Sequence, residues 1–301
     1  MAGELTQILV DTPSRPRGKF YSAGALVDLD AAALPTVTLT RPDGTPGPAA
    51  ADITRVSQGV YDFRLVAADV ADPVVYDVAW SGSIGGQPTT ITTQVEAVGE
   101  FLFNLSDLRG LRVGNGTPFA ATAVPNFTDE QLHEARTATL EEFTRILGFS
   151  PVPRFAREVH DGDGCDRLAL DEREATKLLA VTVDGAVQNL GGWTLQESGI
   201  LRTTSAFRPA GYIRGGIANV AVEYVHGWQR VEGDGGIIGM ARAAMRLIPG
   251  LADAASSVTT PDGTSISFDP AGQVTRAGQI RHFGIAAIDS WLNRWTQAGD
   301  P

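Results

Sequence analysis

The chain has 301 residues, 43% hydrophobic and 20% charged, a balance that fits a globular protein long enough for two cores. Its net charge of -11 speaks against wrapping nucleic acid, because phosphate affinity comes from clustered Lys and Arg. The absence of any run of about eighteen apolar residues excludes a membrane-spanning helix, and a single cysteine, Cys165, excludes an internal disulfide or a thiolate metal cluster.

The N-terminal MAGELTQILVDTPSRPRG lacks the basic start, apolar block and cleavage site of a secretory signal, so the protein is expected to stay where it is made. From residue 4 to residue 98, strand-like runs are parted by Gly, Pro and Asp. They are Leu5 to Val10, Phe20 to Leu29, Thr36 to Thr40, Val60 to Leu65, Val74 to Trp80 and Thr89 to Val95. In PTVTLTRPDGT, Val37 and Leu39 face one way and Thr36, Thr38 and Thr40 the other, with a Pro-Asp-Gly turn after them. In GVYDFRL, Val60 and either Tyr61 or Phe63 take the buried face. This alternation predicts an all-β sandwich over residues 1–98. The series YSAGALVDL, TVTLTRPDGT, GVYDFRL and TTITTQVEAV resembles immunoglobulin-like modules added to phage structural proteins and bacterial surface proteins. Such a fold supplies contact surface and does not itself name a function.

Residues 99–126 are rich in Gly and Pro yet carry Phe101, Phe103, Leu105, Leu108 and Leu111. An ordered linker docked on a neighbour is expected, with a short helical turn from Leu105 to Leu111.

Residues 127–301 predict an α+β domain, helices packed with a small antiparallel sheet. Thr128 and Gln131 form a capping-box pattern, and Asp129 and Glu130 place negative charge at the positive end of the helix dipole. Leu132, Ala135, Leu140, Phe143, Ile146 and Leu147 recur at helical spacing, and Gly148 stops the helix. PVPRFAREVHDGDGCDRLALD reads as two strands about an Asp-Gly turn, and LLAVTVDGAVQNL as a pair turning at Asp184-Gly185. NVAVEYVHGW puts Val220, Val222 and Tyr224 on one face and Ala221, Glu223 and Val225 on the other. Asp234 is placed to cap a helix with Ile237, Ile238, Ala241, Ala244, Met245 and Ile248 as its buried stripe. A hairpin at TPDGTSISF and a closing helix from Gln279 to Trp295 complete the chain.

Reactive side chains do not gather as catalysis requires. Asp161, Asp163 and Asp166 in DGDGCD have the look of a calcium loop but lack its closing Glu, and Asp with Gly is what a tight turn selects. His133, His160, His226 and His282 lie on different elements without HxxxH or HExxH spacing. Cys165 sits in a turn with no neighbouring His or Lys to activate it. Glu141 and Glu142 read as a solvated helix face, and no nucleophile elbow or phosphate-binding glycine loop is present. The expectation is a protein that is not an enzyme and needs no cofactor and no metal.

The phrases FNLSDLRGL, FTDEQLHEARTATLEEF, PVPRFAREV, VTVDGAVQ, GILRT, NVAVEYVHGW, IIGMARAAMRLI, DGTSISF and IAAIDSWLNRW run in an order that resembles the head-to-tail adaptor (connector) proteins of long-tailed bacteriophages. The resemblance covers residues 100–295. It implies a ring, usually of twelve copies, bound beneath the portal protein in the neck of the virion and made in the host cytoplasm. The further partners it implies are a head-tail stopper or tail-completion protein and double-stranded DNA passing through the lumen. An acidic lumen would let the duplex slide, since phosphates there meet like charge. VEGDGGIIG departs from the pattern by offering Gly where a Pro is expected to open the helix, and the N-terminal sandwich is an addition.

Trp291 and Trp295, four apart with Arg294 between them, can be core or an interface anchor. Because the C-terminal segment of such adaptors often engages the portal, the resemblance favours an interface of Phe283, Ile288, Trp291, Leu292, Arg294 and Trp295. The alternative is a tail or receptor-binding protein whose sandwich binds host glycans. Tyr21, Tyr61, Tyr76 and Trp80 sit within strand patterns, which speaks against it. A hydrolase using the Asp residues of DGDGCD comes third.

Overall fold

A computed structural model describes residues 5–30, 33–113, 117–118, 127–203, 213, 215–231, 234–248, 257–259, 263, 265–267 and 286–297. The chain is mostly β-sheet with a few helices.

The N-terminal part is built from β1 (Leu5–Leu9), β2 (Arg17–Lys19), β3 (Tyr21–Ser22), β4 (Ala25–Leu26), β5 (Thr36–Thr40), β6 (Ala51–Ser57), β7 (Val60–Arg64), β8 (Val74–Ile84) and β9 (Gln87–Val98). One sheet has the order β1-β9-β8-β5 and faces another of order β2-β7-β6. Phe63 and Trp80 meet edge-on between them, ring centroids 5.3 Å apart, within a core that includes Phe20, Tyr61, Tyr76 and Val78. The order β5-β8-β9 over β2-β7-β6 is that of the CFG and BED strands of an immunoglobulin-like sandwich, with β1 added parallel along β9. Tyr76, near the start of β8, donates its hydroxyl to the backbone oxygen of Asp69 at 3.2 Å. That bond is the tyrosine corner of such sandwiches. Gly18 lies against Trp80, where an added Cβ would come within 2.5 Å of the indole, so only glycine lets β2 close over the core.

Three details differ from the sequence expectation. Phe20 to Leu29 is not one strand: β3 and β4 form a two-residue ladder across Ala23 and Gly24, whose φ values are 51° and 83°. β2 and β6 are additional strands, too short or too polar to show an alternation. In β7, Tyr61 and Phe63 face the core while Asp62 is buried on the other side, beneath Arg15, whose Nε and Nη2 donate to it at 3.1 and 2.9 Å.

The remainder comprises α1 (Leu105–Gly110), β10 (Arg112–Val113), β11 (Thr117–Pro118), α2 (Asp129–Leu147), β12 (Arg154–Gly162), β13 (Arg167–Ala169), β14 (Ala175–Val183), β15 (Ala186–Val187), β16 (Trp193–Leu195), β17 (Ile200–Thr203), β18 (Gly216–His226), α3 (Gly235–Leu247), β19 (Ser257–Thr259), β20 (Ser265–Ser267) and α4 (Ala286–Gln297). The capping box forms as read: Thr128 N donates to Gln131 Oε1 at 3.0 Å and Gln131 N to Thr128 Oγ1 at 3.3 Å. Gly148 ends α2 in the left-handed region, φ 76°. Leu132, Leu140 and Phe143 of α2 share a core with Ile238 and Ala241 of α3 and Ile288, Trp291 and Leu292 of α4. The stretch read as a linker enters the same core through Leu102, Phe103, Leu108 and Leu111. Residues 119–126 and the start expected for the last helix at Gln279 lie outside the described residues.

A second sheet, order β12-β18-β14-β15, packs against the small sheet β13-β17-β16 over Leu168, Val181, Leu201, Val220, Val222 and Tyr224. The β14–β15 hairpin turns where expected, with Asp184 and Gly185 at φ 50° and 77°, the signs a type I′ turn needs. β12 and β13 do not pair with each other. β12 lies along β18 and β13 along β17, both antiparallel, so the Asp-Gly segment between them is a crossing between sheets.

A buried carboxylate helps fasten the sandwich to the remainder. Glu96 of β9 accepts from Arg154 Nε at 2.5 Å and from Gln7 Nε2 at 2.8 Å, while Arg154 Nη1 donates to Glu141 of α2 at 2.8 Å. Gly99 N donates to Pro153 O at 2.9 Å beside it. Arg154→Ala leaves Glu96 buried without its cation and is expected to cost about 3–5 kcal/mol in urea unfolding, a loss that adding Glu96→Gln partly reverses in a double-mutant cycle.

Candidate interaction surface

The polar side chains weighed for chemistry are engaged in holding the backbone. Asp163 Oδ1 accepts from Cys165 N at 2.8 Å, Asp161 Oδ1 from Ala218 N at 2.6 Å, and Asp166 pairs with Arg202 at 3.5 Å. Cys165 is exposed, and its hydrogen bond to Asp163 and that residue's charge hold the thiol above its ordinary pKa, against reactivity. No group of His, Cys, Asp and Glu among the described residues could hold a metal ion. No helix among them is long and apolar enough to cross a membrane. His282 and Phe283 lie outside the described residues.

Glu142 is not solvated. It lies between α2 and α3, accepting from Arg242 at 2.9 Å through both Nε and Nη2 and from Arg246 Nη2 at 2.7 Å. The two arginines come a helical turn apart on α3, a pairing that spacing along α2 alone could not reveal. Burial opposes its charge, but these bonds outweigh it and hold the carboxyl below its ordinary pKa.

The closing helix is seated in the chain's own core. Ile288, Trp291 and Leu292 are buried, and Trp295 is partly buried against Trp228 at 4.7 Å between ring centroids. Trp228 also meets Trp291 edge-on at 6.0 Å. Of the six residues assigned to an interface, Arg294 is the exposed one among those described. The packing thus favours the core reading of the tryptophan pair. It also accounts for Gly235 at the start of α3, where an added Cβ would meet the Trp291 ring at 2.7 Å. Asp234 occupies the N-cap position but makes no side-chain capping bond.

A polar cluster sits where β18 meets β12. Glu158 accepts from the Tyr224 hydroxyl, from Asp171 N at 2.9 Å and from Glu172 N at 3.3 Å, and lies 2.6 Å from His160 Nε2. His226 is buried with Nδ1 3.4 Å from Glu172 Oε2 and no hydrogen bond at that nitrogen. Burial, helped by the Arg154 charge and opposed by Glu158, lowers its pKa to about 4. Burial and the Glu158 charge raise Glu172.

Between the sandwich and α2 lies a cleft of about 640 Å³. Arg15, Arg17 and Lys19 line it on one side, Asp129, Glu130 and His133 on the other. Lys19 pairs with Glu130, and Arg109 with Asp129. Behind His133, Arg136 is buried without a carboxylate among the described residues, its guanidinium 3.6 Å over the Phe101 ring and 3.1 Å from His133 Nδ1. Burial lowers its pKa to about 10. In the sandwich, Tyr61, Tyr76 and Trp80 are buried, and Tyr21 is the exposed aromatic residue among those described there.

No protein-family model matches the chain, and no curated protein matches it in sequence. Among solved structures it is similar to the neck of an empty GTA particle computed with C6 symmetry, at 14% identity and a TM-score of 0.35, over 62% of this chain and 94% of that one. It is also similar to the ZIG-8–RIG-5 IG1–IG1 heterodimer, at 11% identity and a TM-score of 0.21, over 32% of this chain and 82% of that one. Both scores are too low to carry an argument about function.

Trp291→Ala is expected to destabilise the chain by about 3–5 kcal/mol through the cavity it opens, measured by denaturant unfolding. An unchanged midpoint would return Trp291 to the interface. His226 has its pKa depressed in the fold, so its contribution to stability is complete above the unfolded value near 6.5. As pH falls from there to about 4 it is lost. The loss is on the order of 3 kcal/mol, part of it offset by Glu172, and His226→Gln should flatten this limb of the stability–pH curve.

Proposed function

We propose that the protein is a structural component of a phage neck, with an immunoglobulin-like sandwich followed by an α+β adaptor domain. Its copies form a ring, of twelve by resemblance, that joins the portal to the stopper or tail-completion protein. The observation that carries this reading is the ordered set of adaptor-like phrases. FNLSDLRGL and FTDEQLHEARTATLEEF fall on α1 and α2, PVPRFAREV and NVAVEYVHGW on β12 and β18, and IIGMARAAMRLI and IAAIDSWLNRW on α3 and α4. Those elements supply the helical core and the sheet joined to it. In keeping with a part that works by its surfaces, the acidic and histidine side chains described above are tied into the fold.

A net charge of -11 suits a channel through which duplex DNA slides. A lumen lined mainly by Arg and Lys in the assembled particle would sink that element of the proposal. The ring itself is tested by light scattering on the purified protein, alone and mixed with the portal encoded in the same genome. Formation of a large stoichiometric complex is expected, and absence of association at every salt concentration would overturn the adaptor reading.

A further inference from the structure

Each apolar cluster keeps to one part of the chain, the first to the helices, another to the sandwich and the third to the second sheet. None of them crosses between the sandwich and the remainder, so among the described residues that junction is held mainly by polar contacts. Junctions of this kind permit relative motion where a large apolar one resists it. The chain passes through the junction at Gly99, whose N donates to Pro153 O at 2.9 Å, and on the far side Glu100 already accepts from Val231 N at 3.1 Å.

Among the described residues, ion pairs span the junction at three places, and the order β1-β9-β8-β5 spreads them across the sheet. The middle one joins Glu96 of β9 to Arg154. On the β1 side, the cleft of about 640 Å³ separates Leu5, Thr6 and Arg17 from His133, Glu134 and Thr137, and Lys19 crosses it to Glu130. On the β8 side, a gap of about 330 Å³ separates Pro42, Asp72 and Tyr76 from Phe155, Leu179 and Glu223, and Lys177 reaches Asp72 at 2.5 Å.

The middle pair differs in kind from the outer two. The Glu96 side chain is 2% exposed, and the guanidinium that meets it also holds Glu141 of α2, so this pair is fixed at both ends and little screened by salt. Glu130 and Asp72 are 53% and 44% exposed, and each faces a lysine, a point charge on a flexible stem that tolerates a change of angle. Both lysines of the chain are used in this way.

We infer that the sandwich rocks on the remainder about the pair of Glu96 and Arg154, with Lys19–Glu130 and Lys177–Asp72 as latches on opposite sides. The open volume beside each latch leaves room for the tilt, and widening one gap narrows the other. Ionic strength and the charge of two amines then set the angle at which the sandwich is presented. The device belongs to the single chain and does not depend on its place in a ring.

The test uses the full chain carrying Cys165→Ser, with nitroxides on two introduced cysteines and the labelled protein diluted in unlabelled chain so that spin–spin distances are read within one molecule. One version carries Arg17→Cys with Glu134→Cys across the cleft, and the other Ala71→Cys with Leu179→Cys across the gap, Leu179 being the bulged residue of β14. Adding Lys19→Gln is expected to lengthen the first distance and shorten the second, and Lys177→Gln to do the reverse. At about 1 M salt, where the Debye length is about 3 Å, both distance distributions should broaden. Distances unmoved by salt and by either substitution would mean a rigid junction and overturn the inference. Lengthening of both distances together would overturn it as well, since that is separation without a pivot.

Discussion

A carboxylate withdrawn from water must be met by a cation and by hydrogen-bond donors, or it works against folding. Glu96 is met by both, and the network around it draws on three places. Gln7, its register partner on β1, belongs to the sandwich; Arg154 opens β12; and Glu141 of α2 holds the other end of the same guanidinium. Sheet, sandwich and helix are thereby aligned on one side chain. The alignment sets the neighbouring features: Arg154 is opposite His226 in the β12–β18 ladder, and Trp228, just beyond it, enters the tryptophan cluster of the helical core.

The fold distributes its apolar side chains over three clusters, one inside the sandwich, one among the helices and one beneath the second sheet. Ion pairs border these clusters. Glu142 with its two arginines joins α2 to α3, and Asp62 with Arg15 seals an outer side of the sandwich. Arg136 is different in kind. It is buried with an aromatic ring, a backbone carbonyl and a neutral-leaning imidazole for company, which is costly for a guanidinium.

Local signals were legible in the sequence because local physics decides them. The capping box at Thr128 and Gln131, the Gly148 stop, the Asp184-Gly185 turn and the alternation of Val37 and Leu39 each depend on residues within a few positions of one another. Partnerships over long separations were not. Nothing near PVPRFAREV shows that its strand lies along NVAVEYVH and not beside RLALD, because the choice is made by residues some sixty positions away. Glu142 reads as solvated because its two cations reside on another helix, and Gly235 reads as a missing proline because Trp291, which occupies the space a side chain would need, is far off in sequence. For the tryptophan pair, residue type leans towards a core and the resemblance towards a contact, and neither signal shows that Trp228 packs against both rings.

The parallel pairing of β1 with β9 bears on mechanical load. Leu5 to Leu9 run alongside Gln94 to Val98 in the same direction, so the chain enters the sandwich at one end of this ladder and leaves it at the other. Tension between the two exits is directed along the strands, and the rungs share it together instead of parting one after another as a hairpin does when opened from its end. A joint assembled from such modules resists stretching along its length while each module's individual hydrogen bonds remain weak.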